Sequence, residues 1–446
     1  MALQAVNAFL DELPRTRFAV AGRQVPAFRS CGIAGFYVAL VVSFGGALVT
    51  GRSLLVMGAT AAVCALSFYA YAYARRRLAG HERLVLLEHV WFAEACAAAL
   101  LVALREPVLP YLDLVSVALC LFLAAGRVGC LLTGCCHGRP SLLGVCYDQR
   151  HVHDGFPRHL VGVRLFPVQA VEAFALLLIG AGGAAGLRAA APGGVLVWTL
   201  AAYAVVRFGL EGLRGDARPH WLGLSQSRWM ALVEMGVASW LAPGAPRLST
   251  SLGALAVLGA TAVVAVVARR RGDRPRRALL RPEHVREVAA LAAQSLERAP
   301  DVGSPVAHRT ACGVSVAAAA VGGATAARAH VSLALPEPMR DPPLLCALAA
   351  AAFAEIAAAD AVLTGTVLHV QTPLPLEDGV PPPASAARLA DETYGALLRR
   401  WQEAQDQSAS PSDEGDEGPR APRRRSGQDG RGTYFSGGRA ESSGGT

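Results

Sequence analysis

Apolar stretches long enough to cross a bilayer recur through the first 268 residues and constrain the fold more than any other feature. A membrane-spanning helix needs about 20 predominantly apolar residues. Stretches of this length lie near 33–50, 53–73, 84–104, 107–126, 168–187, 193–210 and 251–268. A shorter one, 229–241, is marginal. Because the chain is also 53% hydrophobic and only 17% charged, we predict an all-α polytopic membrane protein with 7–8 transmembrane helices.

The remaining composition divides the chain into further regions. Residues 1–30 form an N-terminal segment without the layout of a cleavable signal, and the transmembrane domain occupies 31–268 with a polar insertion at 127–166. Helical and strand patterns at 281–376 predict a small soluble C-terminal α+β module, with two strands around a Gly-Gly turn and one last strand. The polar stretch 402–446 predicts a disordered tail.

The net charge of +8 is weak support for a nucleic-acid partner. All 42 basic residues are arginine in a chain rich in Ala, Gly and Val, which indicates a bias toward GC-rich codons. We therefore expect no nucleic-acid partner. Only arginines within membrane segments carry a functional interpretation, because burying a charge there is costly.

Two membrane segments carry such arginines. Arg127 stands at the end of one span, where its guanidinium could grip a phosphate with two parallel hydrogen bonds or serve as an interfacial anchor. A later segment has a set of residues spaced four, four and three apart, which predicts one shared helical face. The set is Tyr203, Arg207, Glu211 and Arg214. It fits either a site within the membrane or a structural ion pair that locks two helices.

Two shorter polar motifs stand at the start of later apolar segments. Gln169 and Glu172 lie one turn apart at the start of one span, and Ser225 and Gln226 precede the marginal segment. Alone, each is an ordinary polar start to a helix.

The order of these motifs along the chain carries a family resemblance. A "GRxGxxxxG" stretch, a "PxQxxE" stretch, a "YxxxRxxxExxR" stretch and a "GxSQ" stretch follow one another within residues 29–242. This order resembles the bacterial prolipoprotein diacylglyceryl transferase family. The resemblance implies a multi-pass transferase of the bacterial inner (cytoplasmic) membrane that acts in lipoprotein biosynthesis. Such an enzyme moves diacylglyceryl from phosphatidylglycerol, a membrane lipid, to the lipobox cysteine of a prolipoprotein signal peptide. We expect no cofactor and no metal for this reaction.

The resemblance also assigns roles residue by residue. Arg127 and Arg207 match the two functionally important arginines, and His89 is the candidate base, since the attacking thiol must lose its proton. A lone membrane histidine can instead form a hydrogen bond between helices. The expected substrate-binding residues are Gly126, Gly129, Gly134, Gly138, Gln169, Glu172, Tyr203, Glu211, Arg214 and Gln226.

Cysteines in the polar insertion support an alternative function. Together with three histidines they form a pool of zinc ligands: Cys130, Cys135, Cys136, His137, Cys146, His151 and His153. We expect adjacent cysteines not to direct both sulfurs to one ion. A packed or disulfide-linked loop therefore ranks first, a metal site second and a redox site third. In this alternative the chain is a non-catalytic paralogue whose loop binds metal or senses thiol redox state.

Membrane orientation receives conflicting predictions. The family resemblance places the 127–166 insertion on the outer side of the membrane, whereas counting arginines in the loops places it in the cytoplasm. We follow the family, and we interpret the basic stretch 269–277 as a cytoplasmic flank of the C-terminal module. All matched motifs precede Arg271, so we expect the transmembrane domain to fold without that module.

Overall fold

The computed structural model describes residues 2–20, 22–79, 86–216, 218, 220–221, 224–242, 263, 267, 278–302, 307–321, 328–336, 341–353, 355–373 and 383–409. Residues Met1–Gln405 form one compact unit. The expected span at 251–268 lies outside the described residues apart from two positions, and so does the expected tail beyond residue 409.

Helices dominate the first 242 residues. In chain order they are α1 (Ala2–Asp11), α2 (Ala27–Val49), α3 (Leu54–Ala79), α4 (Leu86–Ala103), α5 (Val108–Thr133), α6 (Val168–Gly186), α7 (Gly194–Leu210) and α8 (Gln226–Leu241). Among the described residues, five segments are long and apolar enough to cross a membrane: α2, Leu54–Arg75 of α3, α5, α6 and Gly194–Leu213, which contains α7. The chain is therefore a multi-pass membrane protein, and the count of seven or eight spans stays a prediction.

Small residues and one buried acid hold the bundle together around α5. Gly129 and Gly35 lie where α5 and α2 pack so closely that a Cβ atom on either glycine would press on the other helix. Asp113 of α5 accepts hydrogen bonds from the backbone amides of Gly193 and Leu196, at 2.8 and 2.7 Å. These amides begin α7 and have no partner within the helix, so Asp113 fixes the start of α7 beside α5.

The polar insertion has a core of its own. It contains β3 (Pro140–Val145) and two 3₁₀ turns, Gln149–Asp154 and Arg158–Leu160, which enclose buried Tyr147, Phe156 and Leu165. Helix α1 covers β3, and the Asn7 side chain donates to the Leu142 carbonyl and accepts from the Gly144 amide. Short strands β1 (Arg17–Val20) and β2 (Arg23–Pro26) form a hairpin between α1 and α2. Before α8, the two-residue strands β4 (His220–Trp221) and β5 (Leu224–Ser225) pair antiparallel.

The C-terminal module is an antiparallel sheet with helices packed against it. Its elements are α9 (Pro282–Val302), β6 (His308–Arg309), β7 (Ser315–Val321), β8 (Arg328–Ala334), α10 (Pro342–Ala352), β9 (Val362–Thr364), β10 (Val367–Pro373) and α11 (Pro383–Ala409). The strand order is β6-β7-β8-β10-β9. Residues alternate along β8, where Ala329, Val331 and Leu333 are buried, as expected for a sheet with one covered face.

Three expectations for this region need correction or completion. The two expected strands are β7 and β8, and the Gly-Gly between them lies outside the described residues. The expected last strand is two strands, β9 and β10, because Gly365 adopts a left-handed conformation and turns the chain. The expected tail begins too early, since residues 402–409 continue α11.

Helix α11 also contacts the polar insertion directly. The Gln402 side chain accepts from the Arg164 amide at 2.8 Å and donates to the carbonyls of Arg164 and Ser141. Arg399 donates to the carbonyls of His159 and Val161. Leu397 of the same helix lies in the core of the C-terminal module. These contacts weigh against the expected independence of the transmembrane domain.

The same contacts correct the expected orientation. Because α11 binds the insertion, the C-terminal module and the insertion lie on one side of the membrane. An outer insertion and a cytoplasmic module therefore cannot both be right.

We predict that Gln402→Ala loosens the backbone of the insertion. The substitution removes the acceptor of the Arg164 amide and leaves a partly buried donor without a partner, at a cost of about 1–3 kcal/mol. Amide hydrogen exchange at Arg164 should accelerate by at least tenfold. Glu403→Ala, an exposed position on the same helix, is the control. Equal exchange in both variants would show that α11 does not hold the insertion.

Candidate active site

Glu172 is the centre of a buried group of arginines. It lies in the second turn of α6, and its side chain is 0% exposed. Its Oε2 atom is 2.9 Å from Arg127 Nε, 3.8 Å from Arg207 Nη1 and 3.7 Å from Arg214 Nη1. The Tyr203 hydroxyl donates to Oε1 at 3.0 Å. One carboxylate thus brings together Arg127, Arg207 and two other residues that the motifs singled out, Arg214 and Tyr203.

A second layer of charges surrounds Arg207 and Arg214. Arg207 Nη2 lies 3.2 Å from Glu211 Oε2, and Arg214 makes two hydrogen bonds to Asp216. Arg218 pairs with both Asp216 and Glu211. The Ser227 hydroxyl of α8 accepts from Arg207 and from Arg218, each at 2.7 Å.

The expected helical face holds for Tyr203, Arg207 and Glu211 but does not extend to Arg214. Helix α7 ends at Leu210, Glu211–Leu213 form a 3₁₀ turn, and Arg214 follows in an extended conformation. The change of backbone lets Arg214 reach Glu172 and also pair with the insertion, where it forms an antiparallel bridge with Gly138. The Arg139 side chain donates to the Arg214 carbonyl as well.

The four glycines of the first motif have different surroundings. Gly134 ends α5 in a left-handed conformation, and a Cβ atom at this position would press on the rings of Tyr147 and Phe156. Gly138 packs against the carbonyl of Phe166, where any Cβ atom would clash. Gly129 packs against α2, and Gly126 has no described atom within 4 Å of a Cβ position. Three of the four therefore shape the backbone of the site.

Two guanidinium nitrogens in the cluster have unused hydrogen-bonding capacity. Arg207 Nη1 and Arg214 Nη1 are buried and have no hydrogen-bond partner among the described residues. A buried donor without a partner is uncommon and often marks a ligand. Within the cluster, four guanidiniums face three carboxylates, which leaves an excess of positive charge.

The carboxylate of Asp216 stays ionised in this environment. Burial favours its neutral form, but hydrogen bonds from Arg214 and the charges of Arg214 and Arg218 outweigh burial and lower its pKa. Asp216, Arg218 and Ser227 were missed in the sequence, although Asp216 and Arg218 directly follow the third motif.

The two motif glutamines support neighbouring elements. Gln169 donates to the Cys135 carbonyl at 2.9 Å and so ties α6 to the loop after α5. Gln226 donates to Glu88 Oε1 at 2.7 Å and ties α8 to α4.

His89 is fully buried beside aromatic rings of α3. Its ring centroid lies 5.0 Å from that of Phe68 and 4.8 Å from that of Tyr71. These ring contacts pack His89 against α3, and its role as a base stays a prediction.

A pocket within the bundle adjoins the arginine cluster at Tyr203. Its enclosed volume is about 40 Å³. Its lining is mostly apolar, with Leu119, Leu123 and Leu176, but includes Glu94 and Glu234. Glu234 accepts from Trp91 Nε1 at 3.3 Å. Both acids stand inside apolar runs, which is a sequence signal of function in membrane segments.

Three cysteine sulfurs lie close together beside the arginine cluster. The Sγ atoms of Cys130, Cys135 and Cys136 all lie within 4.8 Å of one another. This proximity weighs against the expectation that Cys135 and Cys136 do not both bind one ion. Cys136 adopts a left-handed conformation, with φ of 57°. Cys146, His151 and His153 are not members of this group.

Together, these elements define a multi-pass membrane protein with a buried basic site that can hold an anion. Residues 90–242 match the family model of the prolipoprotein diacylglyceryl transferases. The resemblance inferred from the motifs is confirmed for this part of the chain, which contains the whole arginine cluster. No curated protein matches the chain significantly.

We predict that Glu172→Gln destabilises the protein strongly while preserving side-chain shape. Removing one partner of a buried ion pair typically costs about 3–5 kcal/mol, and here three guanidiniums lose a shared counter-charge. Thermal unfolding in detergent should show a clear fall in Tm. The control is Glu12→Gln, at an exposed position. A Tm equal to that of the wild type would contradict the central role of Glu172.

Proposed function

We propose that this protein transfers diacylglyceryl from phosphatidylglycerol to the cysteine thiol of prolipoproteins in the bacterial inner membrane. The observation that carries the proposal is a pair of buried nitrogens, Nη1 of Arg207 and Nη1 of Arg214. They have no hydrogen-bond partner in the part of the chain that the structure describes, and they lie 3.8 and 3.7 Å from one carboxylate oxygen. Guanidinium donors in a site shielded from water suit a phosphate. The family match over residues 90–242 supports the transferase class.

The reaction places charge where these donors are. The acceptor thiolate attacks a glycerol carbon of the lipid, a C–S bond forms, and the C–O bond to phosphate breaks with its electron pair on oxygen. Negative charge therefore grows on the departing glycerol phosphate. Preorganised donors stabilise such charge most where water is excluded. Glu172 holds Arg127, Arg207 and Arg214 in place, because its carboxylate offsets their mutual repulsion.

The neighbouring pocket presents apolar side chains beside the arginines. Its leucine-rich lining lies inside the bundle, and Tyr203 belongs both to the pocket and to the arginine cluster. A lipid with its phosphate at the arginines would thus place hydrocarbon beside apolar side chains, which favours binding by removing apolar surface from water.

We predict that Arg207→Ala abolishes transfer. Loss of one donor to a developing anion typically lowers kcat by about 100-fold or more. The measurement is transfer from radiolabelled phosphatidylglycerol to a lipobox peptide by the purified protein. Arg188→Ala, at an exposed arginine of the same domain, should retain the wild-type rate. The non-catalytic alternative predicts no transfer by the wild type, and equal rates in both variants would also contradict the proposal.

Orientation provides an independent test. Lipoprotein precursors present their cysteine on the outer side, so the insertion and the C-terminal module bound to it should both lie there. Cys312 of that module is exposed. An impermeant maleimide should label the wild type in intact spheroplasts and label Cys312→Ser much less. Labelling of Cys312 only after permeabilisation would contradict the transferase assignment.

A further inference from the structure

The three-sulfur group occupies the junction between α5 and the polar insertion. Cys130 lies in the last turn of α5, while Cys135 and Cys136 follow the Gly134 cap. Their Sγ atoms lie within 4.8 Å of one another. Around a zinc ion with Zn–S bonds of about 2.3 Å, tetrahedral geometry would place sulfurs roughly 3.8 Å apart. The three sulfurs thus already stand close to the separation that one ion requires.

The loop backbone holds the sulfurs in this arrangement. Cys136 has a φ of 57°, a conformation that costs a non-glycine residue about 1–2 kcal/mol. The surrounding backbone is fixed on both sides: Gln169 donates to the Cys135 carbonyl, and the Gly215 amide donates to the His137 carbonyl. Such unfavourable conformations persist where the surrounding structure imposes them, and they concentrate at ligand sites.

Disulfide pairing does not account for the group. The Cα atoms of adjacent residues are about 3.8 Å apart, less than the 4.4 Å or more that disulfides usually span, which disfavours a Cys135–Cys136 bond. A bond from Cys130 to either neighbour would leave the third sulfur alone. A metal ion uses all three.

Charge and ligand type point to a soft cation. Thiolate ligands select ions such as Zn²⁺ and Cu⁺ over Mg²⁺ or Ca²⁺. Two guanidiniums, those of Arg127 and Arg214, interact electrostatically with Cys136 and would compensate the charge of a thiolate-rich site.

We propose that Cys130, Cys135 and Cys136 together bind one thiophilic d¹⁰ cation, with Zn²⁺ as the probe, through three thiolates and with a fourth position open to an outside ligand. Three protein ligands with one open position are typical of reactive rather than purely structural zinc sites. The site stands whether or not the chain is a transferase, because its geometry involves no lipid.

Metal content and coordination of the full-length protein test this site. Protein purified in detergent under reducing conditions and loaded with Zn²⁺ should retain about one ion per chain after chelating chromatography, with three sulfurs at about 2.3 Å by X-ray absorption. Cys130→Ser, Cys135→Ser and Cys136→Ser should each lower retention by at least fivefold. Cys146→Ser, in the same insertion but outside the group, should retain the wild-type amount.

Cadmium titration of the wild type avoids dependence on folded variants. We expect a sulfur-to-cadmium absorption band that saturates at one equivalent. No band and no retained zinc in the fully reduced wild type would overturn the proposal. Zinc retained equally by all four variants would also overturn it, as adventitious binding only. A disulfide within the group in anaerobically purified protein would do the same.

Discussion

The contact between Glu172 and three arginines is the interaction on which the rest of the site depends. Arg127, Arg207 and Arg214 come from α5, α7 and the strand-like segment after α7, and each would repel the others inside a low-dielectric bundle. One fully buried carboxylate reaches all three. Its position in α6 therefore draws together the C-terminal parts of α5 and α7 near the boundary between membrane helices and polar insertion.

Polar contacts extend outward from this centre to parts of the chain far away in sequence. Arg214 pairs through its backbone with Gly138, and the Arg139 side chain reaches the Arg214 carbonyl. The insertion is in turn bound by Asn7 of α1 and by Gln402 of α11. The N-terminal helix, the insertion and the C-terminal module consequently form one polar layer on one side of the membrane. The three-sulfur group lies where that layer meets the end of α5.

The sequence predicted those features that depend on local composition. Membrane helices α2, α5, α6 and α7 lie where apolar runs indicated them, since a span needs a continuous apolar surface. Arg127 and Arg207 come together as the motif order implied. The end of α7 at Leu210 was not predictable, because spacings of four residues fit a continuous helix and a helix followed by a 3₁₀ turn equally well. The left-handed conformation of Cys136 has no sequence signal in a non-glycine residue. Likewise, Gln402 binds backbone groups more than 230 positions away, which leaves no local pattern.

Determination of the structure in nanodiscs that contain phosphatidylglycerol would test the central claim most directly, since it locates the anion for which the arginines are arranged. We expect the lipid phosphate within hydrogen-bond distance of the Nη1 atoms of Arg207 and Arg214, with Glu172 still paired to Arg127. A well-defined headgroup bound elsewhere, with those two nitrogens occupied by protein groups, would contradict it.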